Sequence, residues 1–304
     1  MKINLDIANE TVQFSFSKDI SLDIKREDKI HPQISGNKYR KLKYNLIAAK
    51  EQGAKTLLTF GGAYSNHILA TASAGFENEF KTIGIIRGNE LSNKVTENPT
   101  LSLAQTLGMQ FKFISRSDYR KKKEPQFIDN LRNEFGHFYL IPEGGTNALA
   151  IKGCEEILSQ KDEIYDYICS AIGTGGTIAG LINTSKPHQK VLGFPALKGD
   201  FLKAEIAALI TSNNQWEFIN NYHFGGFGKI KPELISFINM FAAETGIPLD
   251  PIYTGKMVFG IIDLIRKGYF KKGSKILAIH TGGLQGIQGV NKRLQQQKLP
   301  LINV

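Results

Sequence analysis

Four glycine-rich clusters stand where short apolar runs give way to helix-like segments, and each carries serine, threonine or asparagine beside its glycines. The clusters are Gly61-Gly62-Ala63-Tyr64-Ser65-Asn66-His67, Glu143-Gly144-Gly145-Thr146-Asn147, Gly173-Thr174-Gly175-Gly176-Thr177 and Thr281-Gly282-Gly283-Leu284-Gln285-Gly286. Glycine allows a backbone to approach a ligand closely, and the free N–H groups of a helix N-terminus attract anions. A tight turn between a strand and a helix would explain any one cluster, but four of them favour a ligand-binding edge.

The cluster Gly173–Thr177 has the composition of a phosphate-binding loop. Its successive N–H groups and the hydroxyls of Thr174 and Thr177 would form a cup for a phosphate monoester. The dinucleotide-binding motif would need a third glycine where Ile178 stands, and the chain contains no P-loop motif. The cup therefore predicts a bound phosphate group without the usual nucleotide-binding motifs.

Two lysines open a helical pattern that begins near Gly36 and runs to about Lys50. Lys38 and Lys41 are three residues apart and share one helix face. The positive end of the helix dipole favours a neutral lysine there, and a neutral amine is required for a Schiff base with an aldehyde. Two solvated lysines are the alternative. A lysine near a phosphate cup in an α/β chain is the pattern of enzymes that use pyridoxal 5′-phosphate (PLP).

Seven short, nearly continuous apolar runs predict strands that are covered on both faces. They are Lys55–Phe60, Lys81–Arg87, Gln110–Ser115, His137–Ile141, Tyr165–Ile172, Lys190–Phe194 and Lys275–His280. Helical spacing of apolar residues follows in Pro232–Thr245 and Lys256–Lys267. The alternation predicts an α/β fold, with parallel sheets and helices on both faces. The 304 residues suggest two domains of about 150 residues, with Gly53 and Gly145 as plausible crossing points.

Composition argues against several other classes of protein. Of the residues, 41% are hydrophobic, and no run reaches the roughly 18 apolar residues of a membrane span. The six histidines show no metal-ligand spacing, and no Gly-x-Ser-x-Gly nucleophile elbow is present. The N-terminus lacks the pattern of a secretion signal and the two cysteines suit a reducing compartment, so we expect a cytoplasmic protein.

The net charge of +10 makes nucleic-acid binding an alternative to consider. A dense basic cluster occurs at Arg116, Arg120 and Lys121–Lys123, with Tyr119 as its single aromatic residue. No recognisable nucleic-acid-reading module accompanies it, so a solvated basic face is the preferred interpretation. We predict neither a nucleic-acid partner nor a membrane partner.

Five motifs, in order along most of the chain, resemble those of the 1-aminocyclopropane-1-carboxylate (ACC) deaminase / D-cysteine desulfhydrase family. They are Gly36-Asn37-Lys38-x-Arg40-Lys41-Leu42, Gly61-Gly62-x-x-Ser65-Asn66-His67, Pro142-Glu143-Gly144-Gly145-x-Asn147, Leu249-Asp250-Pro251-x-Tyr253-Thr254-Gly255-Lys256 and His280-Thr281-Gly282-Gly283. The resemblance implies the tryptophan synthase β-like PLP fold (type II), with the cofactor in a cleft between two domains, and a homodimer. Residues 1–45 and 149–304 would form the larger domain, and residues 46–148 the smaller, inserted one.

The resemblance also implies roles for individual residues. Lys38 would be the Schiff-base lysine, and the catalytic residues would be Lys38, Ser65 and Tyr253. The other cofactor contacts would come from Lys41, Asn66 at the ring hydroxyl, Thr174, Gly175, Gly176 and Thr177 at the phosphate, and Thr281 beside the pyridine nitrogen. The amino-acid substrate would contact Ser65, Asn66, His67, Tyr253 and Thr254. No metal is implied.

Two positions favour one activity of this family over the other. Where ACC deaminases typically read Tyr-Glu-Gly-Lys and His-Leu-Gly-Gly, this chain has Thr254 and Thr281 in place of the glutamate and the leucine. A hydroxyl beside the pyridine nitrogen gives a weaker electron sink than a carboxylate. ACC has no α-hydrogen and depends more on that sink, so we expect a lyase that eliminates a β-substituent from a D-amino acid. ACC deaminase is the alternative, and a non-catalytic PLP-binding or basic nucleic-acid-binding protein lies outside the enzyme class.

Three residues depart from the family's pattern. Tyr64 stands where close relatives often carry glutamine, and Phe224 and Phe227 occupy a glycine loop in which the family often supplies a tyrosine. These departures affect the predicted substrate more than the predicted cofactor.

Overall fold

The computed structural model describes residues 7–13, 19–199 and 201–304, and within them the chain forms ten strands and eleven α-helices. The strands are β1 Asn9–Val12, β2 Ser21–Lys25, β3 Thr56–Gly61, β4 Lys81–Arg87, β5 Met109–Ile114, β6 Tyr139–Ile141, β7 Tyr167–Ile172, β8 Lys190–Pro195, β9 Trp216–Phe218 and β10 Lys275–Ile279. The helices are α1 Asn37–Glu51, α2 Asn66–Glu77, α3 Pro99–Thr106, α4 Arg116–Arg120, α5 Pro125–Phe135, α6 Ala148–Cys154, α7 Gly176–Thr184, α8 Phe201–Ala207, α9 Pro232–Thr245, α10 Thr254–Arg266 and α11 Gly286–Gln296.

Each of the seven predicted strands is confirmed as β3–β8 or β10, and α9 has the predicted bounds. Helix α10 begins at Thr254, two residues before the predicted start at Lys256. The sequence did not indicate β1, β2 or β9. Strands β1 and β9 are only four and three residues long at the edges of a sheet, and β2 alternates polar and apolar residues. Such strands lack the continuous apolar run that marked the others.

The strands form two sheets, and the α/β fold is confirmed. The smaller sheet has the order β5-β4-β3-β6 and is parallel throughout. The larger has the order β1-β2-β10-β7-β8-β9, in which β1 alone pairs antiparallel. Parallel strands bring their carboxyl ends to one edge, and the loops after β3, β6, β7 and β10 carry the four glycine clusters there.

Helices cover both faces of the larger sheet, as predicted. On one face α9 and α10 bury Ile238 and Ile261 against Ile276 of β10. On the other face α7 buries Leu181 against Val191 of β8. Each such side chain contributes roughly 1.5–3 kcal/mol through burial, so these contacts fix the positions of the loops between strand and helix.

The two sheets come from separate stretches of chain and give two α/β domains. We propose the division 46–148 inserted between 1–45 and 149–304, of which residues 1–6, 14–18 and 200 lie outside the described part. The boundary at residue 46 falls inside α1, which contacts both units. Leu46 packs against Leu57 of β3, and a Cβ at Gly153 of α6 would lie 1.9 Å from the carbonyl oxygen of Arg40. Helix α1 is therefore the shared element of the two domains.

None of the helices in the described ranges is both long and apolar enough to cross a membrane.

A buried ion pair holds the first half of α1 in place. The Nε and Nη2 atoms of Arg40 donate to the two carboxylate oxygens of Glu27, at 2.9 and 2.8 Å. Removing one charge from such a pair leaves the other buried, so we expect Glu27→Gln to lower the free energy of unfolding by about 3 kcal/mol. Urea denaturation measures the loss. Glu134→Gln, which breaks the exposed pair with Lys112, is the control and should cost less than about 1 kcal/mol. Equal small losses in both variants would contradict the assignment.

Candidate active site

A cleft of about 880 Å³ lies at the carboxyl edges of the two sheets. All four glycine clusters border it, through Gly62, Gly144, Gly173 and Gly283 among others. Lys38 lies within the cleft. The sequence-predicted residues that line it are Lys38, Lys41, Ser65, Asn66, His67, Thr174, Gly175, Thr177, Tyr253 and Thr281.

The start of α1 is fixed by a backbone contact that only glycine permits. Gly36 precedes the helix with φ +60°, and a Cβ at that position would lie 2.0 Å from the carbonyl oxygen of Thr281. Gly282 is similarly close to the segment before α1, since a Cβ there would lie 2.4 Å from Oγ of Ser35. The loop of Thr281 is thus pressed against the turn that leads to Lys38.

Lys38 is held in a short chain of hydrogen bonds. Its Nζ donates to Oδ1 of Asn37 at 3.0 Å, and Nδ2 of Asn37 donates to Oγ1 of Thr177 at 2.7 Å. Removal from water, with the nearby charge of Lys41 adding to it, lowers the pKa of Lys38 to about 7. A substantial fraction of the amine is therefore neutral near pH 7, as nucleophilic attack requires.

The loop that the sequence predicts to bind phosphate leads into the N-terminus of α7. Gly175 precedes the helix with φ +84°, and no side chain of the described residues caps the helix at that position. Nζ of Lys41 donates to the carbonyl of Gly144 at 3.0 Å and to the hydroxyls of Thr146 and Thr174 at 3.0 and 3.3 Å. A buried ammonium thus lies beside free helix N–H groups, which together suit an anion.

Thr146 and Asn37 belong to the site although neither was assigned to it from the sequence. Thr146 sits in a glycine cluster and Asn37 precedes the reactive lysine, so both lay within motifs already singled out. Their roles depend on contacts with Lys41 and Lys38 that only the folded arrangement reveals.

The predicted substrate-side residues Ser65 and Asn66 open helix α2. Ser65 is its N-cap, and its Oγ accepts from the N–H of Ile68 at 3.3 Å. The side chain of Asn66 fills space left by Gly283, where a Cβ would lie 2.8 Å from Nδ2. Both residues border the same cleft as Lys38.

His67 is a buried, neutral residue with one free ring nitrogen. Its Nε2 lies 2.9 Å from Oγ1 of Thr59, and that hydroxyl donates its proton to the carbonyl of Ile141. Nε2 must therefore carry the ring proton, which leaves Nδ1 as an acceptor without a partner among the described residues. Burial, with the charges of Lys38 and Lys41, holds the pKa of His67 well below its ordinary value.

Tyr253 forms one wall of the cleft and keeps its proton. Its ring packs against Gly173, where a Cβ would lie 3.2 Å from Cε1, and against Phe227 at 6.1 Å between centroids. Burial raises the pKa of Tyr253, and the carboxylates of Asp250 and Glu143 raise it further. The phenol is thus a proton donor facing the cleft.

Thr254 does not line the cleft. It is fully buried, and its hydroxyl donates to Oδ1 of Asp250 at 2.8 Å. The sequence placed Thr254 against the substrate, whereas the structure turns it toward the carboxylate of Asp250. That carboxylate also accepts the backbone N–H groups of Ile252, Tyr253 and Thr254, so Thr254 helps to hold the turn that presents Tyr253.

The residues that depart from the family's pattern take different places. Tyr64 lines the cleft and packs on α11, where a Cβ at Gly289 would lie 2.4 Å from its Cε1. Phe227 borders the cleft beside Tyr253, while Phe224 packs against Phe259, 5.0 Å between centroids. Of the two phenylalanines, Phe227 is the one placed to meet a substrate.

The sequence profile of the family described as "Pyridoxal-phosphate dependent enzyme" matches residues 14–282. The chain belongs to this family.

Several relatives extend the likeness along nearly the whole chain. A "Putative 1-aminocyclopropane-1-carboxylate deaminase" of Thermotoga maritima is 32% identical, covering 97% of this chain and 100% of the relative. The "Bifunctional D-cysteine desulfhydrase/1-aminocyclopropane-1-carboxylate deaminase, mitochondrial" of Arabidopsis thaliana is 33% identical over 87% of this chain and 72% of its own. The "D-cysteine desulfhydrase" of Klebsiella pneumoniae is 28% identical over 86% of each.

Solved structures show the same fold. An "ACC deaminase homologue" superposes with a TM-score of 0.79 and 28% identity, covering 97% of this chain and 94% of the other. O-ureido-L-serine synthase superposes with a TM-score of 0.68 at 15% identity, covering 92% of this chain and 90% of its own, and shows the fold alone.

The residues of the cleft fit PLP, the cofactor of this enzyme family. A side chain at Gly176 would crowd the polar groups of the cup, because its Cβ would lie 3.3 Å from Nζ of Lys41 and 3.0 Å from Oγ1 of Thr146. Lys38 supplies a neutral amine for the aldehyde, and burial lowers the pKa of Lys41, which an anion beside it would counteract. We propose that Lys38, Lys41, Asn66, Thr281 and the loop 174–177 hold the cofactor.

A valine in the cup should weaken PLP binding. Gly175→Val places a β-branched residue at φ +84°, with its Cβ 2.8 Å from Cγ1 of Ile206, so the loop must move. We expect the dissociation constant for PLP to rise by at least about tenfold, roughly 1.4 kcal/mol, in a fluorescence titration. Gly246→Val is the matched control, because Gly246 also has positive φ but lies at the end of α9 with open space around its Cβ. Unchanged PLP affinity in both Gly175→Val and Gly176→Val would indicate that the phosphate binds elsewhere.

The lowered pKa of Lys38 predicts how the rate of covalent cofactor attachment depends on pH. Only the neutral amine attacks the aldehyde, and lowering the pKa to about 7 makes that form dominant above pH 7. The rate at which cofactor-free protein forms the covalent link should therefore rise between about pH 6 and 8 and level off above, when followed by stopped-flow absorbance. Lys38→Ala should fold and show no such phase. A rate that keeps rising toward pH 10 would indicate an unperturbed lysine and contradict the assignment.

Proposed function

We propose that this PLP-dependent enzyme is a lyase that eliminates a β-substituent from a D-amino acid, as a D-cysteine desulfhydrase does. The products would be pyruvate, ammonia and the leaving group, which is hydrogen sulfide when D-cysteine is the substrate. A homodimer and a cytoplasmic location are part of this proposal. Its substrate assignment draws on the names of the Klebsiella and Arabidopsis relatives.

The observation that carries the proposal is the absence of an available carboxylate beside Thr281 among the described cleft residues. Asp250 is the acidic residue packed against Gly283, where a Cβ would lie 3.4 Å from its Cγ. Both of its oxygens are occupied, by Thr254 on one side and by the N–H groups of Ile252 and Tyr253 on the other. We infer that the Thr281 hydroxyl, rather than a carboxylate, would lie beside the ring nitrogen of PLP, which favours chemistry that needs only a moderate electron sink.

When bound, PLP withdraws electrons from the α-carbon of the amino acid, and the protein moves the protons. Lys38 is the base, because an amine with a pKa of about 7 can accept the α-proton at Nζ and release it again at neutral pH. Tyr253 retains its phenolic proton and can donate it to the departing group at Oη. Ser65 and the start of α2 would orient the substrate carboxylate.

ACC deamination is the second candidate, favoured by the names of the Thermotoga and Arabidopsis relatives. ACC has no α-proton for Lys38 to remove. Its cyclopropane ring must therefore be opened by another route, which depends on a strongly electron-withdrawing cofactor. The same cleft would serve, but its hydroxyl at Thr281 suits that route less well.

A substrate panel distinguishes the two candidates. Pyruvate release should be measured with ACC, D-cysteine, β-chloro-D-alanine, D-serine and the L-forms. We expect D-cysteine and β-chloro-D-alanine to exceed ACC by at least about tenfold in kcat/KM, roughly 1.4 kcal/mol in barrier, because thiolate and chloride leave easily once the α-proton is gone. Equal or faster turnover of ACC would refute the lyase assignment and keep the cofactor assignment. No turnover in the panel by a yellow protein would favour a non-catalytic PLP-binding role.

A further inference from the structure

Most of the lysines and arginines that line the cleft in the described part of the chain have either a proposed cofactor role or a hydrogen-bond partner. Lys38 and Lys41 serve the cofactor. On α11, Nζ of Lys292 donates to the carbonyl of Glu97 at 3.0 Å, and Nη2 of Arg293 donates to the carbonyl of Gly228 at 2.9 Å. Of the remaining cations, Lys94 also borders the cleft, but its ammonium lacks the planar pair of donors that a guanidinium offers to a carboxylate. Arg87 is left without a described carboxylate partner.

Arg87 lies next to the loop that leads to the substrate-side residues. It is the last residue of β4, and β4 pairs with β3, which ends at Gly61. A Cβ at Gly62 would lie 3.8 Å from Nη2 of Arg87, so the guanidinium lies beside the first residues of the loop that leads to Ser65 and Asn66. Arg87 is therefore an exposed residue that borders the same cleft as Lys38 and Ser65.

The guanidinium is oriented by an aromatic ring beneath it. Its central carbon lies 5.6 Å from the ring centroid of Tyr119, which is buried and donates from Oη to Oε1 of Glu143 at 2.7 Å. The other carboxylate oxygen of Glu143 lies 3.3 Å from Nζ of Lys122, which offsets its charge. A cation–π contact with a ring leaves the N–H groups of a guanidinium available for a planar anion.

The cleft, which must hold both the cofactor and the substrate, is large. Its volume of about 880 Å³ falls in the upper part of the 300–1,000 Å³ that small-molecule sites span. The lining of the cleft includes the aromatic and aliphatic residues Tyr64, Leu91, Leu101, Phe227 and Val290. An extended side chain can therefore run from the reaction centre toward Arg87 over apolar surface.

We propose that Arg87 binds a carboxylate at the end of the substrate's side chain, and that the preferred substrates are D-amino acids whose β-substituent is a thioether with an acidic terminus. The inference rests on the proposed lyase function. With S-carboxymethyl-D-cysteine, Lys38 takes the α-proton and the Cβ–S bond breaks with both electrons going to sulfur. Mercaptoacetate leaves, and the three-carbon fragment reacts with water to give pyruvate and ammonia.

A matched pair of substrates isolates the proposed contact. S-Carboxymethyl-D-cysteine and S-carbamoylmethyl-D-cysteine have nearly the same shape, and only the first carries the side-chain carboxylate. A charge-assisted bidentate contact should give the acid an advantage of at least about tenfold in kcat/KM, expressed mainly in KM. Arg87→Gln should remove that advantage. Arg87→Lys keeps the positive charge but loses the paired N–H donors of the guanidinium, so it should retain part of the advantage.

The control variant removes one positive charge on the same side of the molecule. Arg116→Gln breaks an exposed pair with Glu90 outside the cleft lining and should leave the preference for the acid intact. The proposal is overturned if the native enzyme does not favour the acid, if Arg87→Gln slows both substrates equally, or if Arg116→Gln removes the preference as well. An equal loss with both substrates would assign Arg87 to the α-carboxylate instead.

β-Chloro-D-alanine separates failure of the subsite from failure of the proposed function. If the subsite is wrong, turnover of β-chloro-D-alanine persists while the acid and the amide react alike. If no pyruvate forms from β-chloro-D-alanine, the lyase function fails and the inference that rests on it falls too.

Discussion

The close approach of Gly36 to the peptide between Thr281 and Gly282 fixes the start of α1, and with it the positions of Lys38 and Lys41. A side chain at Gly36 would occupy the space of the Thr281 carbonyl. The same helix is held farther along by the buried pair of Arg40 with Glu27. Because α1 touches both domains, the distance between the reactive lysine and the phosphate cup follows from how this one helix is anchored.

The electrostatics of the cleft follow from that placement. Two amines, Lys38 and Lys41, are brought into a poorly solvated site where they repel one another, and burial lowers the pKa of each. One becomes a neutral nucleophile, and the other lies where the α7 N-terminus already favours an anion. A phosphate ester that carries an aldehyde suits both features, because the aldehyde reacts with the neutral amine and the phosphate binds at the anion site. Cofactor binding and lysine activation therefore depend on the same arrangement of residues.

The sequence contained most of the fold and located the glycine-rich loops that border the cleft, because both depend on local patterns. Apolar runs located β3–β8 and β10, and the glycines at Gly173 and Gly175 marked the cup. The short or alternating strands β1, β2 and β9 carried no such pattern. Thr254 was placed against the substrate because its motif neighbours the site, but the hydrogen bonds of Asp250 decide where its side chain points.

Contacts between distant segments could not be read from the chain at all. The support of Arg87 by Tyr119 joins β4 to α4, and the tautomer of His67 depends on the carbonyl of Ile141. Neither has a spacing signal, since each depends on how the strands of the smaller sheet are ordered. The substrate side of the site is therefore where the structure adds most to the sequence.

The most direct test of the central claim is to locate the cofactor's covalent link. The purified protein would be reduced with borohydride, digested, and mapped by mass spectrometry for the pyridoxyl-modified lysine. The account predicts a single modified peptide that carries the label on Lys38. Label on Lys41, on Lys256 or on any other lysine would contradict the arrangement of α1, the cup and the cleft as described.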